Sequence, residues 1–205
     1  MLSKTLPLGL LSLFISFAFA ETTAVPAPAA PVPPTGEVIR LQGKVLFQDK
    51  EIKQGDKIDR PGKIEVKDKS FIQIKIDKWK NVISIGGNST MNLNFSDEKK
   101  YTLEEGKCRW KSFAESESKG KIFTKNVSMG VRGTDFLLTY NPQLAETEIV
   151  MFDGVVHFEN VDDKENAYDV KKGQWGGLGG RFGKKINQPI DLPPSLVESF
   201  NKVVE

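Results

Sequence analysis

Apolar and polar residues alternate along most of the chain after residue 36. The clearest apolar positions are Ile72, Ile74 and Ile76 in one run and Met91, Leu93 and Phe95 in another. A period of two predicts strands that bury one face and expose the other. Shorter runs predict strands at 44–47, 63–66, 81–85, 107–113, 121–124, 135–140, 147–152, 155–160 and 168–171. The sequence therefore predicts an all-β domain of about a dozen short strands.

Turn signals separate these runs. Turn-forming pairs flank apolar runs at Pro61-Gly62 and Glu105-Gly106. A third pair, Asp153-Gly154, lies between two apolar runs, as in a tight hairpin. No stretch of this region sustains a helical period. The turns agree with short strands joined by short connections.

One short helix is predicted at the C-terminal end. Pro193-Pro194 ends the preceding segment, and Ser195 with Glu198 has the spacing of a capping box. The apolar residues expected on one face are Leu196, Val197, Phe200, Val203 and Val204. We expect this face to dock on the domain's own sheet; the alternative is contact with a partner or a second copy.

Residues 1–20 have the pattern of a cleavable signal peptide. Lys4 precedes an apolar run that ends in Ala18-Phe19-Ala20, a small-x-small cleavage pattern. Cleavage would leave Glu21 as the first residue and no transmembrane anchor; the alternative is an uncleaved N-terminal anchor. We therefore expect a periplasmic protein, or one secreted further.

The rest of the chain divides by composition. Residues 21–36 are rich in proline and alanine and predict an extended linker. Residues 37–178 contain the predicted strands, and residues 179–205 contain a glycine-rich exit followed by the predicted helix. We interpret the glycine cluster at 176–183 as a flexible exit, because its spacing does not match a phosphate-binding loop.

The net charge of the chain does not indicate a nucleic-acid partner. The chain has 29 Lys and Arg against 27 Asp and Glu, a formal net charge of +2. This balance gives no reason to expect binding to nucleic acid.

Few residues are suited to catalysis or metal binding. His157 is the only histidine and Cys108 the only cysteine, so a zinc site is not indicated, and we expect Cys108 to be a buried apolar residue. The acidic pairs Glu104-Glu105 and Asp162-Asp163 are placed at turns, where solvated acids are ordinary. We predict no enzyme, no cofactor and no metal.

A six-residue motif carries a family resemblance. Its residues are Val131, Arg132, Gly133, Thr134, Asp135 and Phe136. Together with the segments 103–106, 150–156 and 170–174, this motif makes residues 36–177 resemble a FecR-type periplasmic domain. The resemblance implies a β-solenoid or β-roll, and the strand pattern is equally compatible with a sandwich.

The motif suggests a corner between two strands. Gly133 can adopt a positive φ at a sharp bend, Arg132 offers several donors, and Thr134 can close a local hydrogen bond. We interpret these roles as structural; the alternative is a ligand or partner site at the corner.

The resemblance also implies a function. FecR-type regulators join a cytoplasmic segment that holds a sigma factor, a membrane helix and a periplasmic sensing domain, and this chain resembles only the third part. The expected function is a non-catalytic sensing, scaffolding or protein-binding module of the bacterial envelope, with another envelope protein as partner. The alternative is a surface or matrix protein that binds glycan through Trp79, Trp110 and Trp175.

Overall fold

The computed structural model describes residues 35–76, 81–94, 101–113, 120–131 and 133–204. Within these ranges the chain forms 17 strands and one α-helix, which confirms the prediction of an all-β fold with a short C-terminal helix. The predicted signal peptide and nearly all of the predicted linker lie outside the described residues. No helix in the described ranges has the length and hydropathy needed to span a membrane.

The strands up to the middle of the chain are β1 (Gly36–Gln42), β2 (Val45–Phe47), β3 (Lys50–Glu51), β4 (Lys57–Ile58), β5 (Gly62–Val66), β6 (Phe71–Ile76), β7 (Asn81–Ile85), β8 (Ser89–Leu93) and β9 (Tyr101–Lys111). The later strands are β10 (Gly120–Phe123), β11 (Val127–Val131), β12 (Asp135–Asn141), β13 (Glu146–Asp153), β14 (Val155–Asn160), β15 (Ala167–Lys171), β16 (Gln174–Leu178) and β17 (Ile190–Asp191). Helix α1 spans Pro194–Asn201.

These strands form two sheets. Sheet 1 has the order β4-β1-β6-β7-β9-β12-β13-β16-β17, and all of its pairs are antiparallel. Sheet 2 has the order β3-β2-β5-β8-β9-β10-β11-β14-β15, in which only the described pair β9–β10 is parallel. Neither sheet closes into a barrel, and three of the four outer strands have only two residues, which limits exposed backbone edges.

Strand β9 belongs to both sheets. Its first half pairs with β8 and β10, and its second half pairs with β7 and β12. Gly106, at the change of sheet, has φ of 91°. The predicted turn at Glu105-Gly106 is wrong, because the bend leaves the strand continuous and keeps Glu104 and Glu105 within it.

One apolar core lies between the two sheets. Alternate residues of both sheets point into it; Ile72, Ile74 and Ile83 come from sheet 1, and Met91 and Phe158 from sheet 2. All five are fully buried. The arrangement is therefore a sandwich, and the period of two in the sequence reflects its shared core.

Helix α1 docks on the outer face of sheet 1, as expected. Val197 and Phe200 pack against Leu137, Val150 and Phe152 of β12 and β13. The predicted capping box is wrong: the helix begins at Pro194, after Pro193, and no side chain caps its first turn. Proline is well suited to this first position, since its missing N–H would have no helical partner there.

The predicted apolar face of the helix is only partly correct. Val204 is buried beside the helix, whereas Leu196 and Val203 are exposed. Two apolar residues therefore remain on the solvent side.

Part of the glycine cluster at 176–183 lies in a strand. Gly176 and Gly177 lie in β16 and pair with β13. A Cβ on Gly177 would lie 2.5 Å from the Thr147 carbonyl oxygen. Glycine is required at this position because β16 and β13 approach too closely for a side chain. The interpretation of the cluster as a flexible exit is therefore wrong for this part.

Candidate functional site

The six-residue motif forms the crossing from sheet 2 to sheet 1. Val131 ends β11, Gly133 has φ of 60°, and Asp135 begins β12. Thr134 and Phe136 are buried. Arg132 lies outside the described residues, so its predicted role stays a prediction.

Thr134 is bonded to a distant strand end. Its N–H donates to Ser112 Oγ at 3.0 Å, and Ser112 N–H donates to the Thr134 carbonyl at 2.8 Å. The two hydroxyl oxygens are 3.4 Å apart. These contacts hold the corner against the residue that follows β9, which is 22 positions away in sequence, whereas a local hydrogen bond was predicted for Thr134.

Asp135 forms a two-point ion pair with Arg109. Arg109 Nε donates to its Oδ1 at 2.8 Å, and Arg109 Nη2 donates to its Oδ2 at 2.9 Å. The Arg109 guanidinium also lies 4.7 Å from the centre of the Phe152 ring, and its Nη1 is 3.4 Å from the Asn201 carbonyl oxygen. Arg109 therefore links the motif to the end of α1.

Sequence reasoning did not find Arg109. It lies on the outward side of β9, opposite Leu137 of β12 and Ser84 of β7. A charged residue at an outward position is ordinary in a strand, and only the register between strands places this one beside Asp135.

A row of polar side chains continues from Arg109 across sheet 1. The register aligns Arg109 with Ser84, Ser84 with Gln73, and Gln73 with Arg40. A cavity of about 210 Å³ lies over this row. Its lining residues, which we call the basic groove, are Arg40, Phe71, Gln73, Val82, Ser84, Arg109, Lys111 and Val204.

A second charged cluster lies at the other end of sheet 1. Arg181 contacts Glu146 at 2.9 Å and Glu148 at 3.0 Å. Burial raises the pKa of Glu148 above its ordinary value. Burial also disfavours the charged form of Glu146, but hydrogen bonds from the Arg181 side chain and backbone outweigh it and lower the pKa of Glu146. The cluster anchors the turn Gly180–Phe182 to β13.

The structure does not bring Cys108 and His157 together. Cys108 is fully buried in the core, and burial raises the pKa of its thiol to about 12. His157 is exposed on the outer face of sheet 2, where its Nδ1 lies 2.8 Å from Asp169 Oδ1. Cys108 is thus a buried apolar residue, as predicted, and its thiol is not available as a nucleophile at neutral pH. Among the described residues no cluster of His, Cys, Asp and Glu is arranged to hold a metal.

The two tryptophans in the described ranges offer little surface to a glycan. Trp110 is fully buried and packs edge-on against Tyr101, with ring centres 4.8 Å apart. Trp175 is partly buried beside Phe182 and Arg181. Trp79 lies outside the described residues. Trp110 therefore cannot contact a ligand as the glycan alternative requires.

The fold is similar to that of solved structures. Two crystal structures of a "putative anti-sigma factor" from Parabacteroides distasonis match at TM-scores of 0.56 and 0.57, with 12% sequence identity. The matches cover 68% and 69% of this chain and 64% and 65% of that protein, so this chain spans slightly less than two thirds of its length. At this identity the likeness shows a shared fold. No family model matches the sequence, and the comparison with curated proteins gives no match.

Proposed function

We propose that the protein is a non-catalytic sensing or scaffolding module that binds another protein of the bacterial envelope. The observation that carries this proposal is the fold shared with a protein described as a "putative anti-sigma factor". The FecR-type resemblance of the sequence leads independently to the same class of regulator. The proposal extends both likenesses to function, since the fold alone can serve many functions.

The site geometry supports a binding role over a catalytic one. The residues that the motif brings together serve as ties between strands: Thr134 joins Ser112, and Asp135 joins Arg109. Cys108, the most reactive type of side chain in the sequence, is held protonated in the core. Next to these ties, the basic groove presents charged and hydrogen-bonding groups to solvent, as a recognition surface requires.

The proposed location is the periplasm, after cleavage of residues 1–20. This part of the proposal rests on the Ala18-Phe19-Ala20 pattern. The extended linker at 21–36 would then be the N-terminal segment of the mature protein, ahead of the folded domain.

Site-specific photo-crosslinking in the bacterium of origin tests the proposal. A photoreactive residue is placed singly at solvent-accessible positions on three surfaces: Arg40 and Lys111 on sheet 1, Leu196 on α1, and Lys63 and His157 on sheet 2. We expect the protein in the periplasmic fraction with Glu21 at its N-terminus, and one surface giving a discrete adduct with an envelope protein. Intact residues 1–20 in the cytoplasmic fraction, or no adduct from any surface, would contradict the proposal.

A further inference from the structure

The basic groove contains several cations and no carboxylate among its described lining residues. Arg109 is neutralised by Asp135, which lies beside the groove. Lys111 Nζ is 4.0 Å from Asp135, and Arg40 lies 5.3 Å from the centre of the Phe71 ring with no carboxylate contact among the described residues. Among the residues that the structure describes, one carboxylate thus lies near two of the three cations, and the described lining carries more positive than negative charge.

Sheet 2 differs from the groove in where its acids lie. Lys63 and Lys67 both contact Glu65, and His157 contacts Asp169. In sheet 2 an acid thus lies within the row of outward residues beside these cations, whereas no described lining residue of the basic groove carries a carboxylate. The excess charge of the groove is therefore a local property and does not follow from the nearly neutral composition.

The groove is also built in a fixed shape. Gln73 Nε2 donates to Ser84 Oγ at 3.0 Å and forms its floor. Phe71, Ser84 and Val204 are buried, and Arg40 and Lys111 are exposed at opposite margins. The cross-strand row that starts at Arg40 continues past Arg109 to Leu137 and Val150. Helix α1 covers that apolar end of the row, and the polar end that forms the groove is left open.

We infer that the basic groove binds an acidic segment of a partner protein, with side-chain carboxylates held by Arg40 and Lys111. This inference rests on the proposed function and names the partner's chemistry. The volume of about 210 Å³ suits one or two side chains better than a cofactor. The apolar walls from Phe71, Val82 and Val204 favour an acidic residue with apolar neighbours over a uniformly charged polyanion.

The test uses the full-length chain and a labelled peptide of alternating glutamate and leucine, with its glutamine and leucine counterpart as control. Binding is measured by fluorescence anisotropy for the wild type, Arg40→Gln, Lys111→Gln and Arg40→Lys. The matched control is Arg60→Gln, because Arg60 is also an exposed arginine over a phenylalanine ring, 5.9 Å from the centre of Phe47 and away from the groove. Thermal melting of each variant checks that it is folded.

We expect Arg40→Gln and Lys111→Gln each to weaken binding of the acidic peptide by about tenfold, and Arg40→Lys to weaken it less. Arg60→Gln should bind as the wild type does, and the glutamine peptide should bind much more weakly. Equal affinity for both peptides, or wild-type affinity in both groove variants, would overturn the inference. Tighter binding of a heparin hexasaccharide in competition would also overturn it, by assigning the groove to an acidic glycan.

The crosslinking experiment separates this inference from the proposed function. Adducts with an envelope protein from Leu196 or from sheet 2, but not from Arg40 or Lys111, would leave the proposed function standing and reject the groove as the contact. Absence of adducts from every surface would reject the proposed function, whatever the peptide does.

Discussion

Arg109 and Asp135 form a two-point ion pair between β9 and β12, with N–O distances of 2.8 and 2.9 Å. Their side chains are only 16% and 12% exposed. At this depth a charge that loses its partner has little water to replace it. The pair also lies at the meeting point of the motif, the basic groove and the end of α1.

We therefore expect Asp135→Asn to lower the free energy of unfolding by about 3 kcal/mol, because the partly buried Arg109 would lose this two-point ion pair. Urea denaturation measures this change. The matched control is Asp153→Asn, which removes an exposed pair with Lys172 and should cost under about 0.5 kcal/mol. Similar losses in the two variants would show that the Arg109 pair is no stronger than a surface pair.

The bend in β9 provides a second prediction. A Cβ on Gly106 would overlap Ser89 Oγ and lie 2.5 Å from the Asn88 carbonyl oxygen, at a φ of +91°. Gly106→Ala should therefore destabilise the protein by more than about 3 kcal/mol, through strain and overlap together.

Gly173→Ala separates these two causes. Gly173 has φ of +79°, but a Cβ there would meet nothing within 4 Å. Only backbone strain remains, and we expect a loss of about 1 kcal/mol in the free energy of unfolding, with both variants measured by urea denaturation. If Gly106→Ala were no more destabilising than Gly173→Ala, the close approach to β8 would not be a constraint.

Helix α1 depends on few apolar contacts. Phe200 packs against the cluster formed by Leu137, Val150 and Phe152, whereas Leu196 is exposed. We expect Phe200→Ala to cost about 2 kcal/mol and Leu196→Ala under about 0.5 kcal/mol. Hydrogen exchange of the helix amides should accelerate only in Phe200→Ala. Faster exchange in Leu196→Ala would indicate that the exposed face is also engaged.

Glu146 provides a prediction about pH. Its pKa is lowered in the folded protein, so its ionised form stabilises the fold above the unfolded pKa of about 4.3, and this contribution is lost as pH falls through the folded pKa. Glu146→Gln should cost about 1 kcal/mol at pH 7. The difference from the wild type should shrink at pH 3.

Urea denaturation at both pH values checks this prediction. Glu198→Gln serves as control, since Glu198 is exposed on α1. If the difference in free energy of unfolding between the wild type and Glu146→Gln were the same at pH 3 as at pH 7, the charge of the Glu146 carboxylate would not be the cause of that difference.

The sequence predicted the fold class and many strands, because alternation alone reports a half-buried strand. The predicted ranges 81–85 and 155–160 coincide with β7 and β14. Strands β3, β4 and β17 have two residues each, too few to show a period. Strand β9 was predicted only from residue 107, since an acidic pair followed by glycine is typical of a turn, and here the same residues carry a bend.

The candidate site was less accessible to prediction. The motif correctly suggested a positive φ at Gly133, which is a local property of one residue. The convergence of Arg40, Arg109 and Lys111 depends instead on the pairing of β1, β6, β7 and β9. Registers between strands far apart in sequence are set by tertiary packing, and no local pattern specifies them.

Membership of β9 in both sheets has a consequence for biogenesis. Strands β1 to β8 lie on one side of β9 in each sheet, and β10 to β17 lie on the other. A chain that emerges from its N-terminus would complete the first half with two unpaired edges, along β7 and β8. Such edges are prone to pair with other chains. Docking of the single strand β9 covers both edges at once, but β9 then presents its own second edge to β12 in sheet 1 and to β10 in sheet 2, so a nascent molecule stays open to edge pairing until the strands of the second half arrive.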